Sequence, residues 1–597
     1  MNRLCFPVLA AMFWIVPANA AWAAPVPAAR SGLEQVPASA PIVIHLRGVQ
    51  GTRDHFVAMM ENALPDVLKK FQGEMDDFLK NGREGHKIRG LVKDGPIFFA
   101  ITELPKPGQP LNGPPPFALV VAVTSYKEFR DNLLNDEERK SLKDKGDGIE
   151  AATLDRETTY FVDRKGYAIL TMHEEVAKSF TKKINGLHKK MSKEQAAKLL
   201  NSDLGVYVNM DTINKDYSEQ IKQAKDGIAQ ALELGAGAGD ESQKKIVEMF
   251  KKAIGPIFQA VEDMQAVLLT IEFRPGGLAL HVQGEMKDGS TTAGLLQDTR
   301  PVAFKELGRL PAGRSYYSAL KTSAALYREL GSLMVGVPLG RGGETSEEIA
   351  AALKELAKAG PTIRMDGFAF PMSGLQVYHY DDPNKAVAAL GKLFKALAAS
   401  DPKSVGLREK PVVKMNAEKY AEFKLHSIQI AWDFEKMAEP VAQQGEAAKK
   451  QYIESMKKLL GDKMTFWFGT DGQTVVQVVA TDWPAAQKLL DQYSKGAKTV
   501  GESKAFRDAR KEMPARTSFL GLIDAVQMFG TILDIARPML PVAGLPPGWP
   551  NMPAKPTASY VGISVTLQPQ RGGLDLFITA AAAKEFYKAV VQPLVGE

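Results

Sequence analysis

The chain has 597 residues, of which 45% are hydrophobic and 24% are charged, and this composition excludes a mainly disordered chain or a collagen-like fibre. Lysine and arginine number 75, and aspartate and glutamate number 69, so the small positive excess does not indicate nucleic-acid binding. The only cysteine is Cys5, which excludes disulfides, thiolate metal sites and a cysteine nucleophile from the rest of the chain.

The first 24 residues are predicted to be an export signal peptide. Arg3 is followed by an apolar run at residues 4–16 and by small residues around Ala20, which is the pattern of a cleaved signal. The run is shorter than the ~20 residues of a membrane-spanning helix, and an uncleaved anchor is the alternative. The most apolar later stretch, residues 519–540, contains three charged side chains, so no transmembrane segment is predicted after signal removal. The sequence therefore predicts a periplasmic or secreted protein.

Residues 25–300 are predicted to form a first half in which strands alternate with single helices. Helical stretches show apolar side chains at three- and four-residue spacing. Ser125 with Glu128, and Thr171 with Glu174, have the spacing of a capping box at a helix start. The predicted strands lie at residues 42–46, 117–123, 159–162, 167–170, 204–210, 267–273 and 278–283.

Residues 301–597 are predicted to form a second half that repeats this order. Val-Pro-Ala-Ser at 36–39 precedes the first strand of the first half, and Leu-Pro-Ala-Gly at 310–313 precedes its counterpart. Asp382 followed by Pro383 is typical of a helix start. The predicted strands lie at residues 315–320, 375–380, 465–468, 475–479, 519–523, 560–567 and 574–579.

These units predict an α+β protein with two related halves, each a mostly antiparallel sheet with helices packed on one face. The spacing between matched positions varies, so we expect extra sequence in the second half near residues 416–458. The alternative is that strand–helix units are common and that two unrelated halves look alike.

Asp211 and Asp524 are the candidate catalytic residues because each follows a matched apolar strand. Two carboxylates that faced each other between the halves could act as general acid and base. The alternative is that each carboxylate caps the helix that follows its strand.

His379 and Asp381 are the candidate metal ligands. Residues two apart on a strand share a face, so both side chains could bind one divalent cation. The alternative is that Asp382 caps the next helix and that His379 lies at the end of its strand.

No cofactor is predicted. The glycine-rich residues 235–239 follow a helix instead of a strand, so they lack the context of a phosphate-binding loop. The chain also lacks the G-x-S-x-G motif of a nucleophile elbow. Residues 178–198 contain seven lysines and one glutamate, and this stretch could contact anionic lipid or a wall polymer. Its alternative is a solvated helix face.

The signal, the Val-Pro-Ala-Ser and Leu-Pro-Ala-Gly segments, the strand–helix units and the terminal hairpin resemble a loose class of uncharacterised exported bacterial proteins. The resemblance covers most of the chain after the signal and rests on pattern. It implies duplicated α+β halves and implies no catalytic residues.

We therefore expect an exported, non-catalytic binding or scaffolding protein whose partner is another protein or a cell-envelope polymer. One alternative is an exported hydrolase with a site between the two halves. Another is a peripheral membrane or cell-wall-associated protein.

Overall fold

The computed structural model describes residues 32–81, 86–87, 89–105, 114–154, 156–237, 254–321, 347–370, 372–399, 402, 406–442, 445–536 and 558–595. The predicted signal at residues 1–24 lies outside these ranges. The chain divides into two compact units, Met1–Gln223 with Met264–Lys287, and Ala224–Asp263 with Asp288–Glu597. Within the described ranges, no helix combines the length and apolar character needed to cross a membrane.

The first unit contains a ten-stranded sheet in which every pair of neighbours is antiparallel. The strand order is β4-β5-β6-β7-β3-β2-β1-β8-β9-β10. The strands are β1 Ile42–Leu46, β2 Ile97–Ile101, β3 Phe117–Ala122, β4 Lys143–Gly146, β5 Ile149–Leu154, β6 Glu157–Arg164, β7 Tyr167–Thr171, β8 Leu204–Asn209, β9 Met264–Arg274 and β10 Gly277–Met286.

Helices lie in four of the connections between these strands, and the other described connections are turns or loops. A 3-10 helix at Leu187–Lys189 precedes α6. The helices are α1 Val49–Ala63, α2 Pro65–Asn81, α3 Tyr126–Leu133, α4 Asp136–Lys140, α5 Glu174–Thr181, α6 Lys193–Asn201, α7 Met210–Asp216 and α8 Ser218–Gly237.

Helices cover both faces of this sheet. Val120 of β3 belongs to a core cluster with Ala177 and Phe180 of α5. Its neighbour Val121 belongs to a separate cluster with Phe129 of α3. Successive residues of a strand point to opposite faces, so α3 and α5 lie on opposite faces. The predicted α+β class is confirmed. The helices, however, pack on both faces of this sheet, whereas the prediction placed them on one face only.

The second unit contains its own ten-stranded antiparallel sheet. The strand order is β14-β15-β16-β17-β13-β12-β11-β18-β19-β20. The strands are β11 Tyr316–Lys321, β12 Pro361–Ala369, β13 Ser373–Tyr380, β14 Val412–Tyr420, β15 Phe423–Ala431, β16 Lys463–Thr470, β17 Val475–Ala480, β18 Phe519–Asp524, β19 Tyr560–Gln568 and β20 Arg571–Thr579.

The helices of the second unit again lie mostly between strands. Residues 254–263 are helical, 3-10 helices occur at Lys305–Arg309 and Val500–Glu502, and a π-helix occurs at Tyr587–Val591. The α-helices are α9 Thr291–Leu296, α10 Glu347–Lys358, α11 Pro383–Ala399, α12 Phe434–Met437, α13 Glu439–Ala442, α14 Glu446–Leu460, α15 Trp483–Lys495, α16 Lys504–Glu512, α17 Ala525–Ala536, α18 Ala580–Phe586 and α19 Gln592–Val595.

The two strand orders are the same when strands are numbered within each unit. Backbone hydrogen bonds recur as well: the amide of Ala38 donates to Asn185 O at 2.8 Å, and that of Ala312 donates to Lys498 O at 3.0 Å. Each bond ties the residues before the first strand to the segment before the eighth. A common origin of the units accounts for such matches, and it remains a prediction at this stage.

The described part of the second unit has three helices, α12–α14, without a counterpart between the matching strands of the first unit. They lie between β15 and β16, whereas the corresponding β5 ends at Leu154 and β6 begins at Glu157. We predicted extra sequence at residues 416–458, but residues 416–431 belong to the hairpin of β14 and β15. The additional sequence therefore begins after Ala431.

Ser125 and Asp382 are N-caps as predicted, although the structure gives only one of the two hydrogen bonds of a capping box at Ser125, and the cap predicted at Thr171 is wrong. Ser125 Oγ accepts a hydrogen bond from the amide of Glu128 at 3.2 Å, and Asp382 Oδ1 accepts one from the amide of Lys385 at 3.0 Å. Thr171 instead ends β7, and its hydroxyl donates to Phe117 O at 2.6 Å. The helix there begins only at Glu174, so Thr171 is too far from it to form the predicted capping box.

Candidate functional site

A cavity of about 490 Å³ lies in the second unit. Its lining comes from the segment before β11, the first residues of β13 and β16, the end of β17, the end of α14 and one side of α15. The volume falls within the range of small-molecule sites in proteins. Met372, Met464 and Leu489 give part of the lining an apolar character, and three cationic side chains give the rest its charge.

Arg314 is the most constrained of the three cationic side chains. Its Nη1 donates to Ser373 Oγ at 2.9 Å, and its Nε donates to Ala312 O at 3.4 Å. Burial lowers the pKa of Arg314, and the nearby Tyr317 opposes that effect only in part. Among the described residues, no carboxylate forms an ion pair with this guanidinium. Arg314 is therefore a half-buried cation held by neutral groups.

Lys463 and Lys488 are the other two cationic residues of the lining. Lys463 begins β16, and its Nζ lies 3.4 Å from Glu409 Oε1 in a pair that is about half exposed, 51% and 56%. An exposed pair of this kind contributes little to stability and exchanges readily with other anions. Lys488 projects from α15, and no described carboxylate pairs with it.

The additional helices of the second unit build one side of the cavity. The last residue of α14, Leu460, and the glycine that follows, Gly461, belong to the lining. Gly461 has a φ of 75°, which glycine adopts without strain, and the chain there turns into β16. The amide of Met372 donates to Leu459 O at 2.7 Å, which fixes α14 against the turn before β13. The first unit has no such helix between β5 and β6.

The signal for Arg314 was present in the sequence but was not recognised. Arg314 comes directly after the Leu-Pro-Ala-Gly segment, and the matched position after Val-Pro-Ala-Ser is Ala40. The two segments are otherwise similar, so the change from Ala40 to Arg314 marks the arginine as specific to the second half. Lys463 and Lys488 could not be found in this way, because the other residues that line the cavity with them are distant in sequence.

Asp524 is a buried helix cap. It is 3% exposed, and its Oδ1 accepts a hydrogen bond from the amide of Gln527 at 3.2 Å. Burial raises the pKa of Asp524, and hydrogen bonds from backbone amides oppose this increase. The carboxylate of Asp524 thus caps the N-terminus of α17, in agreement with the alternative that this aspartate is a helix cap.

The residue that matches Asp524 in the first unit is Asn209, not Asp211. The amide of Asn209 donates to Pro41 O, and that of Asp524 donates to Ser315 O, each at 2.8 Å. Asn209 also caps its helix by accepting a hydrogen bond from the amide of Thr212 at 3.3 Å. The predicted pairing of the two aspartates is therefore wrong by two residues.

Asp211 lies in the first turn of α7 with its side chain 45% exposed, and its Oδ2 is 3.9 Å from Lys190 Nζ. The two candidate aspartates belong to different units and have different surroundings. Their catalytic role stays a prediction.

His379 lies at the end of β13, as predicted, and Asp381 comes directly after the last residue of the strand. His379 Nε2 is 3.2 Å from Glu306 Oε2, and the amide of Asp381 donates to Gly360 O at 3.0 Å. The part of the chain that the structure describes contains no group of three or more potential ligands that could hold a metal ion. Metal binding by His379 and Asp381 stays a prediction, and no third protein ligand completes a site with them among the described residues.

The basic residues 178–198 are spread over α5, a 3-10 helix and α6. Lys178 lies 3.0 Å from Glu174 and 2.8 Å from Glu175, which compensates part of its charge. Phe180 and Leu187 are fully buried in the core. The apolar side chains of this stretch are thus used for packing, which favours the solvated-face alternative.

Comparison with protein-family models, with curated proteins and with solved structures gives no match. The chemistry of the cavity therefore has to be inferred from its own residues. The lining includes no histidine and no carboxylate among the described residues, whereas Ser373, Thr481 and Gln492 add neutral hydrogen-bonding groups. Such a lining is suited to holding an anion that carries an apolar part.

Proposed function

We propose that the chain is an exported binding protein whose ligand is an anion held in the cavity of the second unit. The observation that carries the proposal is the charge of the lining, which includes Arg314, Lys463 and Lys488 and no described carboxylate. Arginine and lysine bind phosphate and carboxylate groups by charge-assisted hydrogen bonds. The cavity therefore favours a ligand with one such group.

The environment of Arg314 supports an anionic ligand. A cation that is removed from water is unfavourable unless an opposite charge compensates it. Its present partners, Ser373 Oγ and Ala312 O, are neutral. An anion in the cavity would add charge-assisted hydrogen bonds of about 1.5–3 kcal/mol each. Met372, Met464 and Leu489 favour a ligand that also has an apolar part.

We also propose that the two units derive from one ancestral sequence and that the second unit gained its cavity together with α12–α14. The equal strand orders and the recurring backbone hydrogen bonds support the common origin. The position of Leu460 and Gly461 in the lining supports the second step. On this proposal the first unit is a scaffold, and ligand binding belongs to the second.

The test is isothermal titration of the chain without residues 1–24, using hexyl phosphate and hexanoate as anionic probes and hexanol as the neutral probe. We expect at least one anion to bind and hexanol not to bind. Arg314→Gln should weaken binding by about tenfold or more, because a hydrogen bond to a charged group contributes about 1.5–3 kcal/mol. Lys488→Gln should weaken it less, because that side chain is not held in place by neighbours.

The matched control is Lys504→Gln. This lysine is exposed, pairs with Asp508 at 2.5 Å on α16 and is not part of the lining, so binding should not change. Failure of both anions to bind, or equal affinity of wild type and Arg314→Gln, would contradict the proposal. Recovery of the intact probe after incubation separates binding from the hydrolase alternative.

A further inference from the structure

Four polar side chains lie in one row across the sheet of the second unit. The register pairs Ser318 of β11 with Asp366 of β12, Asp366 with Gln376 of β13, and Gln376 with Gln477 of β17. Residues that are directly opposite each other on neighbouring strands point to the same face of a sheet. We call these four residues the polar row.

The centre of the polar row is a buried and fully bonded carboxylate. Asp366 is 3% exposed. Its Oδ1 accepts hydrogen bonds from Gln376 Nε2 at 2.8 Å and from Arg364 Nε at 2.9 Å. Its Oδ2 accepts one from Ser318 Oγ at 2.9 Å, and that hydroxyl lies 2.6 Å from the hydroxyl of Tyr316. Arg364 compensates the charge of Asp366, so the network has no net charge.

The first unit has an apolar row at the same place. There the register pairs Ile44 with Phe99, Phe99 with Leu119, and Leu119 with Leu170. The matched hydrogen bonds of Asn209 and Asp524 fix the correspondence of β1 with β11. Every member of the polar row thus replaces an apolar residue at the matching position of an identical strand order.

This comparison indicates that the fold does not need the polar row. A sheet of the same topology is stable with isoleucine, phenylalanine and leucine at these positions, and a buried carboxylate is unfavourable unless several partners compensate it. Gly521, which pairs with Ser318, replaces Val206 of the first unit. A Cβ at Gly521 would lie 2.9 Å from Ile563 Cγ2 and 3.3 Å from Phe519 Cζ, so the glycine leaves room for these two side chains beside the row.

Gln477 of the polar row and Arg364, which donates to Asp366 of the row, both have polar groups without a hydrogen-bond partner among the described residues. Arg364 uses only its Nε, and its side chain is 44% exposed. Its guanidinium lies over the ring of Tyr378 at 5.6 Å. Gln477 is half-buried, and its amide forms no hydrogen bond within the described part of the chain. Free donors and acceptors therefore lie next to the aromatic rings of Tyr316 and Tyr378.

We propose that the polar row is a second ligand site and that it binds a neutral saccharide. A saccharide presents hydroxyl groups that donate and accept hydrogen bonds at once, and it presents C–H faces that pack on aromatic rings. The Arg364 guanidinium and the Gln477 amide, in a network with no net charge, match the hydroxyl groups, and Tyr316, which stacks on Phe368 at 6.4 Å, supplies an aromatic ring beside them. The charged cavity lacks this combination, so the two sites differ in the ligand they take.

The experiment is saturation-transfer NMR followed by titration of the chain without residues 1–24, using maltotriose, cellotriose and chitotriose as probes. We expect at least one to bind. Gln477→Leu places the residue of the first unit at this position, so it should keep the fold, judged by circular dichroism, and weaken binding by about tenfold. Arg364→Gln should weaken it to a similar extent.

Gln429→Leu is the matched control, because Gln429 is exposed on β15 outside the row, and binding should not change. Hexyl phosphate affinity should also be the same in Gln477→Leu as in wild type, which separates this proposal from that of the cavity. The proposal is overturned if none of the three probes binds, or if Gln477→Leu and Arg364→Gln both bind like wild type.

Discussion

His45 is a buried histidine in the first unit. It is 0% exposed, and its ring lies 5.2 Å from that of Phe98. Burial, with a smaller contribution from Arg47, lowers the pKa of His45 from 6.5 to about 3. The folded protein therefore holds a neutral imidazole over a pH range in which the unfolded chain is protonated.

This lowered pKa predicts a loss of stability in mild acid. The unfolded state binds the additional proton, so the contribution of His45 to the free energy of unfolding is constant above about pH 6.5 and decreases as the pH falls from 6.5 towards 3. The slope is at most about 1.4 kcal/mol per pH unit. Urea unfolding at pH 5 and pH 7.5 should show a smaller difference for His45→Leu than for wild type. Equal differences would show that His45 is not the source of the dependence.

At the scale of single elements, the helices α6 and α16 occupy matched positions but have different caps. Ser192 Oγ accepts a hydrogen bond from the amide of Gln195 at 3.2 Å, and the side chain of Gln195 bonds back to the amide of Ser192 at 3.0 Å. Ser503 Oγ accepts only one hydrogen bond, from the amide of Phe506 at 3.5 Å. The first cap is the stronger of the two because it satisfies two amides at shorter distances.

Removing these caps should therefore have unequal effects. Loss of an N-cap hydroxyl typically lowers stability by about 0.5–2 kcal/mol. We expect Ser192→Ala to lie near the upper end of this range and Ser503→Ala near the lower end, measured by urea unfolding of the chain without residues 1–24. Ser192→Thr and Ser503→Thr, which keep the hydroxyl, are the matched controls. A larger loss for Ser503→Ala would contradict the assignment.

Most strands with continuous apolar sequence were predicted from the sequence within one or two residues. The strand predicted at residues 42–46 has the same bounds as β1, and the strand predicted at 519–523 is one residue longer in the structure, ending at Asp524. Six strands were not predicted: β2, β5, β12 and β15, although they contain buried side chains, and β4 and β14, whose side chains are mostly exposed and leave little apolar signal. They are held by backbone pairing with a neighbour, and a sequence does not display that interaction.

The candidate sites were less accessible to prediction than the strands. The cavity joins Arg314, Ser373 and Lys488, which become neighbours only after the sheet forms. The polar row depends on register across four strands, and one of them, β12, was not predicted. By contrast, Asp382 was recognised as a helix cap because capping involves residues that are close in sequence. Prediction thus succeeded for most local interactions, with Thr171 as an exception, and failed for those between distant segments.

At the scale of the whole molecule, each unit has its own hydrophobic core. Phe98 and Met365 occupy matched positions in β2 and β12, and they are 0% and 1% exposed. After residues 1–24 all tryptophans lie between residues 432 and 549, within the second unit. Tryptophan fluorescence therefore reports on the second unit, whereas circular dichroism reports on both.

These probes allow the two cores to be tested separately. Truncation of a buried phenylalanine or methionine to alanine lowers stability by about 2–5 kcal/mol. We expect Phe98→Ala to shift the denaturation midpoint in circular dichroism with little change in fluorescence, and Met365→Ala to shift the fluorescence midpoint. Coincident shifts in both signals for Phe98→Ala would show that the units unfold as one cooperative body.

Strands β4 and β14 each form one edge of the sheet of their unit, and this has a consequence for self-association. Each pairs with a single described neighbour, and each contains a shift of register, at Asp144/Gly146 and at Lys414/Glu418. Bulges and lysine side chains hinder the docking of a further strand from another molecule. The bulges and lysines of β4 and β14 therefore hinder polymerisation at these two sheet edges, and hydrophobic side chains in place of the lysines would remove that protection.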